Sequence, residues 1–116
     1  MELFTITQLK TAALAGRVEA RVWGQVDALA QKTTRDGKPF WELTLADAEA
    51  KLTLRAWSDS PAFALCSDLN ARCFLEVAGE FANNGAYGLD SKRWTARELT
   101  GDERDALLAG PPELRA

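Results

Sequence analysis

Arg17-Val18-Glu19-Ala20-Arg21-Val22-Trp23-Gly24-Gln25-Val26 is the stretch that decides the fold. Val18, Ala20, Val22, Gly24, Val26 and Ala28 share one parity; Arg17, Glu19, Arg21, Trp23 and Gln25 share the other. Successive side chains of a strand point to opposite faces, so this alternation predicts a strand with one side on a core and one in water. The run extends to about Lys32, and Gly24 in its middle predicts a bulge or sharp bend. Such a bend lets one strand of a small barrel pair at both ends.

Outward from this strand the punctuation is regular. Asp36-Gly37 within residues 33–39 is a hairpin signal. It leads into Phe40-Trp41-Glu42-Leu43-Thr44-Leu45, where Trp41, Leu43 and Leu45 share one face and Phe40, Glu42 and Thr44 the other. After an acidic turn, Asp47-Ala48-Glu49, residues 51–57 alternate again, with Leu52, Leu54 and Ala56 inward and Lys51, Thr53, Arg55 and Trp57 outward. Ser58-Asp59-Ser60-Pro61 predicts a helix start, a polar cap followed by proline in the first turn, with the helix running to about Leu69. Residues 72–81 read as a fourth strand, Asn83-Asn84-Gly85 as a hairpin turn, and residues 86–97 as a fifth strand, irregular around Ser91-Lys92-Arg93. Upstream, Leu3, Ile6, Leu9 and Leu14 have near-helical spacing and predict a lead-in helix or turn, capped by Thr5 or Thr7 and ended by Gly16. An acidic helix is expected over residues 102–109, broken by Gly110-Pro111-Pro112. The division expected is 1–16 lead-in, 17–98 barrel domain and 99–116 acidic helix or linker.

Five strands with a helix between the third and fourth is the order of the OB fold, an all-β, five-stranded Greek-key barrel. The motifs carry a resemblance as well. Gly37-Lys38-Pro39-Phe40, the alternating 41–45 and Leu52-Thr53-Leu54-Arg55-Ala56-Trp57 resemble OB domains of the anticodon-binding type. In particular they resemble the N-terminal domain of bacterial 3′-to-5′ exoribonucleases that carry an HD phosphohydrolase domain downstream. The likeness covers about residues 17–97. It departs at Asp47-Ala48-Glu49-Ala50, where the family has a glycine turn, and in the absence of a catalytic domain, which needs histidines. The resemblance implies a nucleic-acid-binding module, and leaves open both a piece of a longer enzyme and a stand-alone relative.

Composition limits the chemistry. The chain has 116 residues, enough for one domain with its own core, and no histidine. Cys66 and Cys73 fit no redox or zinc spacing and are read as reduced, partly buried thiols, with a disulfide between them as the minor alternative. Asp47 and Glu49 are paired acids, but they belong to a turn. With no base, metal cluster or phosphate loop, no catalysis, cofactor or metal is expected. No apolar run approaches the roughly 18 residues that span a bilayer, and Met1-Glu2-Leu3-Phe4 lacks a signal-peptide pattern. A cytoplasmic protein is expected, with no membrane partner and no small-molecule substrate. Net charge is −3, yet residues 1–97 hold 12 basic and 12 acidic residues, while 98–116 hold two and five. A neutral body with a local basic groove predicts a modest, salt-sensitive grip on nucleic acid.

Single strands are held by aromatic platforms and by cations along the backbone. OB barrels present both on the outer face of strands two and three and on the adjoining loops. The expected binding residues are Phe40, Thr44, Arg55 and Trp57 on that face, with Trp23 on the first strand. Lys32, Arg35 and Lys38 join them from the first loop, and Lys92 and Arg93 from the fifth strand. Trp57 has a second reading as core under the following helix, and Trp23 as core turned inward by a bend at Gly24. Trp41, Trp94 and Tyr87 are assigned to the core. Glu42, among the aromatics, repels phosphate locally. The function expected is single-stranded RNA or DNA binding, alone or for a nuclease domain. The alternative is an OB adaptor that uses the same aromatics against a partner protein.

Overall fold

A computed structural model describes residues 2–69, 72–83, 89–91 and 93–108. Its spine is β2 (Val18–Thr33), which serves two neighbours in succession. Residues 18–25 pair antiparallel with β5 (Phe74–Asn83), and residues 25–33 pair antiparallel with β3 (Pro39–Ala46). The handover lies beside Gly24. A Cβ there would stand 2.6 Å from Leu45 Cγ and 2.9 Å from the Ala46 carbonyl oxygen, so only glycine lets β3 approach this closely. The bulge itself comes three residues later than the sequence predicts. Register shifts between Val26 and Ala28, leaving Asp27 as the extra residue. Asp27 tolerates this because it is exposed and its carboxylate meets Lys51 Nζ at 3.0 Å. Parity inverts beyond it: Ala28 is exposed and Leu29 packs against the core.

β3 pairs with β4 (Lys51–Trp57), and β5 pairs with β6 (Leu89–Asp90) and β7 (Trp94–Glu98). The order is β4-β3-β2-β5-β6, with β7 also on β5. The chain is thus an all-β OB-like barrel in which the expected fifth strand is split at its irregular segment. Gly79 permits the split: a Cβ there would lie 2.9 Å from the Arg93 carbonyl oxygen. Positions 84–88, with the Asn-Gly turn and Tyr87, and the Gly110-Pro111-Pro112 break lie outside the described residues.

The core is the inward parity of these strands, including Val22, Leu43, Leu45, Leu52, Leu54, Val77 and Phe81. Helix α2 (Pro61–Ser67), with Ser60 at its N-cap, packs against β4 and β7 and buries Ala62 and Cys66. Burial pushes the Cys66 thiol up to about 11; both cysteines are free. Trp94 is 1% exposed, and its indole N–H donates to the Arg55 carbonyl at 3.0 Å, a side-chain link from β7 to β4. Trp41 is partly buried against the core, with its N–H donating to Ser67 Oγ at 3.3 Å.

The N-terminal segment holds a strand that the sequence does not announce. β1 (Glu2–Phe4) lies parallel to β2, ahead of helix α1 (Ile6–Ala13). Three residues are too few to display a period. Thr5 caps α1 in a reciprocal box with Gln8, and Asp47 Oδ2 accepts from the Ile6 N–H at 3.0 Å. Ile6, Leu9 and Ala13 enter the same core, whereas Leu14, counted in the helical stripe, is 72% exposed. Asp47 also accepts from the N–H groups of Glu49 and Ala50, so the acidic turn is held by its own first residue.

Candidate functional site

The bulge turns the second half of β2 to share an outer face with β3 and β4. Three rows cross it: Lys32, Phe40 and Trp57; Ala30, Glu42 and Arg55; Ala28, Thr44 and Thr53. In the first row the Phe40 and Trp57 rings lie 4.9 Å apart at 38°, and Trp57 is 37% exposed. Cross-strand aromatics at this distance support each other and leave a face to solvent. In the second row Glu42 receives Lys32 Nζ at 3.0 Å on one oxygen, and Arg55 Nε stands 3.8 Å from the other. In the third, the Thr44 and Thr53 hydroxyls meet at 3.1 Å. Five of the sequence-predicted residues, Lys32, Phe40, Thr44, Arg55 and Trp57, therefore form one surface.

An open groove of about 500 Å³ adjoins the aromatic row. Its walls include Thr34 and Lys38 from the β2–β3 turn, Trp57 and Asp59 from the end of β4, and Arg93 ahead of β7. The turn is fixed by Thr34, whose hydroxyl accepts from the Lys38 N–H at 3.1 Å, and by Gly37 at φ +82°. The other wall is fixed by Ser60, whose hydroxyl donates to the Trp57 carbonyl at 2.9 Å. Lys38 and Arg93 thus flank an exposed indole. Arg35 is exposed at the turn and does not line the groove; Lys92 lies outside the described residues. Thr34 and Asp59 line the groove without being among the sequence-predicted binding residues. The signal for Asp59 was its position just after an aromatic-ended strand, in a segment that reads first as a helix start.

Trp23 stands apart, because it precedes the bulge and pairs with β5 at Glu76. Its N–H donates to Glu76 Oε1 at 3.0 Å, alongside Arg21 at 2.9 Å, while Arg97 Nε donates to Oε2 at 3.0 Å. Arg97 also grips Glu103 with two bonds of 2.8 and 2.7 Å, and Glu103 forms a capping box with Thr100 at the start of α3 (Gly101–Leu108). This chain of charges joins the acidic helix to the barrel. Burial raises the Glu76 carboxyl, but hydrogen bonds from Trp23 and Arg97 and the Arg97 and Arg21 charges outweigh it, leaving the group below its ordinary range. The Arg97 hydrogen bonds and the Thr100 N–H bring Glu103 down to about 2. The folded state therefore binds fewer protons than the unfolded one. Its advantage is complete above the ordinary carboxyl value of 4.5 and is lost as pH falls towards 2. The melting temperature is expected to fall across that window, and Glu103→Gln to flatten the fall, as thermal melts at stepped pH would record.

No protein-family model matches the chain. No curated protein matches it either. Among solved structures it is similar to RecG bound to a three-way DNA junction, with a TM-score of 0.63 and 13% sequence identity over 86% of this chain. The likeness covers 13% of the RecG chain, so this chain spans a small part of that protein's length. At that identity what is shared is the fold.

Proposed function

We propose that the chain binds single-stranded nucleic acid on the β3–β4 face and carries out no reaction itself. The observation that carries this reading is the Phe40–Trp57 pair, its indole exposed, at the mouth of a groove flanked by Lys38 and Arg93. A base stacks on the indole, and its phosphates run over the groove within reach of Lys38, Arg93 and the exposed Arg35. Supporting this, the similar fold in RecG comes from a structure bound to a DNA junction. Glu42 already engages Lys32 and lies near Arg55, so those two cations add little to phosphate binding, and affinity is modest. The strand is RNA or DNA, and in a longer protein the module presents it to a nuclease domain elsewhere in the chain.

Anisotropy of labelled single-stranded DNA and RNA oligomers tests this directly. With three phosphate contacts, log K falls against log salt with a slope of about −2, a roughly twenty-fold loss between about 50 and 200 mM. No binding at low salt, with capture of a protein partner instead, would replace this reading with that of an adaptor.

A further inference from the structure

The outer face carries a chemically ordered group: a donor, Lys32, reaching over from the end of the aromatic row, then an acceptor, Glu42, and a donor, Arg55, paired in the middle row. An acid at its centre weakens a face that only holds phosphate, so its presence calls for a different account. We propose that Glu42 reads the base stacked on the aromatic pair, selecting keto bases (guanine, thymine and uracil) over adenine and cytosine. This inference rests on the nucleic-acid reading above.

The spacing fits. Glu42 lies two residues from Phe40 on the same face of β3, and Arg55 two residues from Trp57 on β4. The charged row is thus displaced from the aromatic row by about 6–7 Å, one pleat repeat. A base lying over Trp57 with its backbone above the groove turns its far edge towards Glu42. A carboxylate can only accept. Guanine offers it N1–H and the N2 amino group; thymine and uracil offer N3–H. Their neighbouring carbonyls, O6, or O4 and O2, meet the flanking Lys32 or Arg55 donors. Adenine N1 and cytosine N3 instead present a lone pair to the carboxylate, beside a single amino donor, so one contact is gained and one is repulsive. The Glu42 and Arg55 side chains are 25% and 24% exposed, so water competes only partly for these groups.

The test compares alternating GT and alternating AC DNA oligomers of equal length. Each contains one purine and one pyrimidine per repeat, which evens out stacking, and lithium salt suppresses guanine quartets. The native protein is expected to bind GT about tenfold more tightly. Glu42→Gln, whose amide both donates and accepts, is expected to narrow the ratio below about threefold, with a thermal melt verifying its fold. Equal affinities in the native protein overturn the inference, and that measurement stands even if the variant does not fold. A Glu42→Gln protein that binds both oligomers more tightly while keeping the ratio also overturns it, since Glu42 is then only a brake on phosphate. Failure of both oligomers to bind overturns the nucleic-acid reading as well, whereas binding without discrimination overturns the Glu42 role alone.

Discussion

Trp57→Ala is expected to weaken single-stranded oligomer binding by roughly 5- to 150-fold, the effect of removing about 1–3 kcal/mol of base stacking. Trp57 is 37% exposed at the end of β4, so most of this change belongs to the ligand and little to the barrel. Phe40→Ala is expected to act in the same direction but less strongly, since Phe40 is half-buried and works partly by supporting the indole 4.9 Å away. Because the rings touch, the double variant should lose less than the two single losses combined. Trp57→Phe should recover part of the affinity by restoring a stacking face. Anisotropy of a labelled oligomer is the suitable readout, because the substitution removes one of the protein's own fluorophores. A Trp57→Ala protein that melts normally and binds within about twofold of the native chain would move the platform elsewhere.

The placement of that pair was legible in the sequence because β3 and β4 keep strict alternation from Pro39 to Trp57, and a short turn held by Asp47 fixes their register. Parity alone put Phe40, Glu42, Thr44, Arg55 and Trp57 on one side. The same parity misplaced the second half of β2. Ala28 and Ala30 are small and apolar, so they continue the inward pattern on paper, and a bulge at an exposed aspartate leaves no glycine to mark it. Leu29, at the opposite parity to Val26, was the one residue that could have exposed the shift. Trp23 shared the outward parity of the binding residues, but a strand that changes partners near Gly24 sends its two halves to different neighbours, which no local pattern encodes. The approach of Arg93 to Lys38 across the groove depends on β5 and β7 returning the chain to the first hairpin, a long-range consequence of topology. The acidic helix was legible from residues 102–109, whereas its tie to Arg97 and Glu76 was not, because those partners lie in β7 and β5.

Trp94→Ala is expected to be the most damaging single change to the fold. The side chain is 1% exposed, and truncating a buried tryptophan costs about 3–5 kcal/mol. Against a typical domain stability of about 5–15 kcal/mol, this should lower the melting temperature by roughly 15–25 °C. Trp94→Phe separates the two contributions: it retains most of the apolar volume but leaves the Arg55 carbonyl without its indole donor, for a smaller loss of about 1–3 kcal/mol. That hydrogen bond joins β7 to β4: its acceptor is the Arg55 carbonyl on one strand, and its donor is the residue after Arg93 on the other. Slackening it should let the groove walls move relative to Trp57, so Trp94→Phe is also expected to reduce oligomer affinity at temperatures where it is fully folded. Normal binding by a folded Trp94→Phe protein would show that the outer face keeps its shape without that bond. A melting temperature of Trp94→Ala within about 2 °C of the native value would deny the side chain its place in the core.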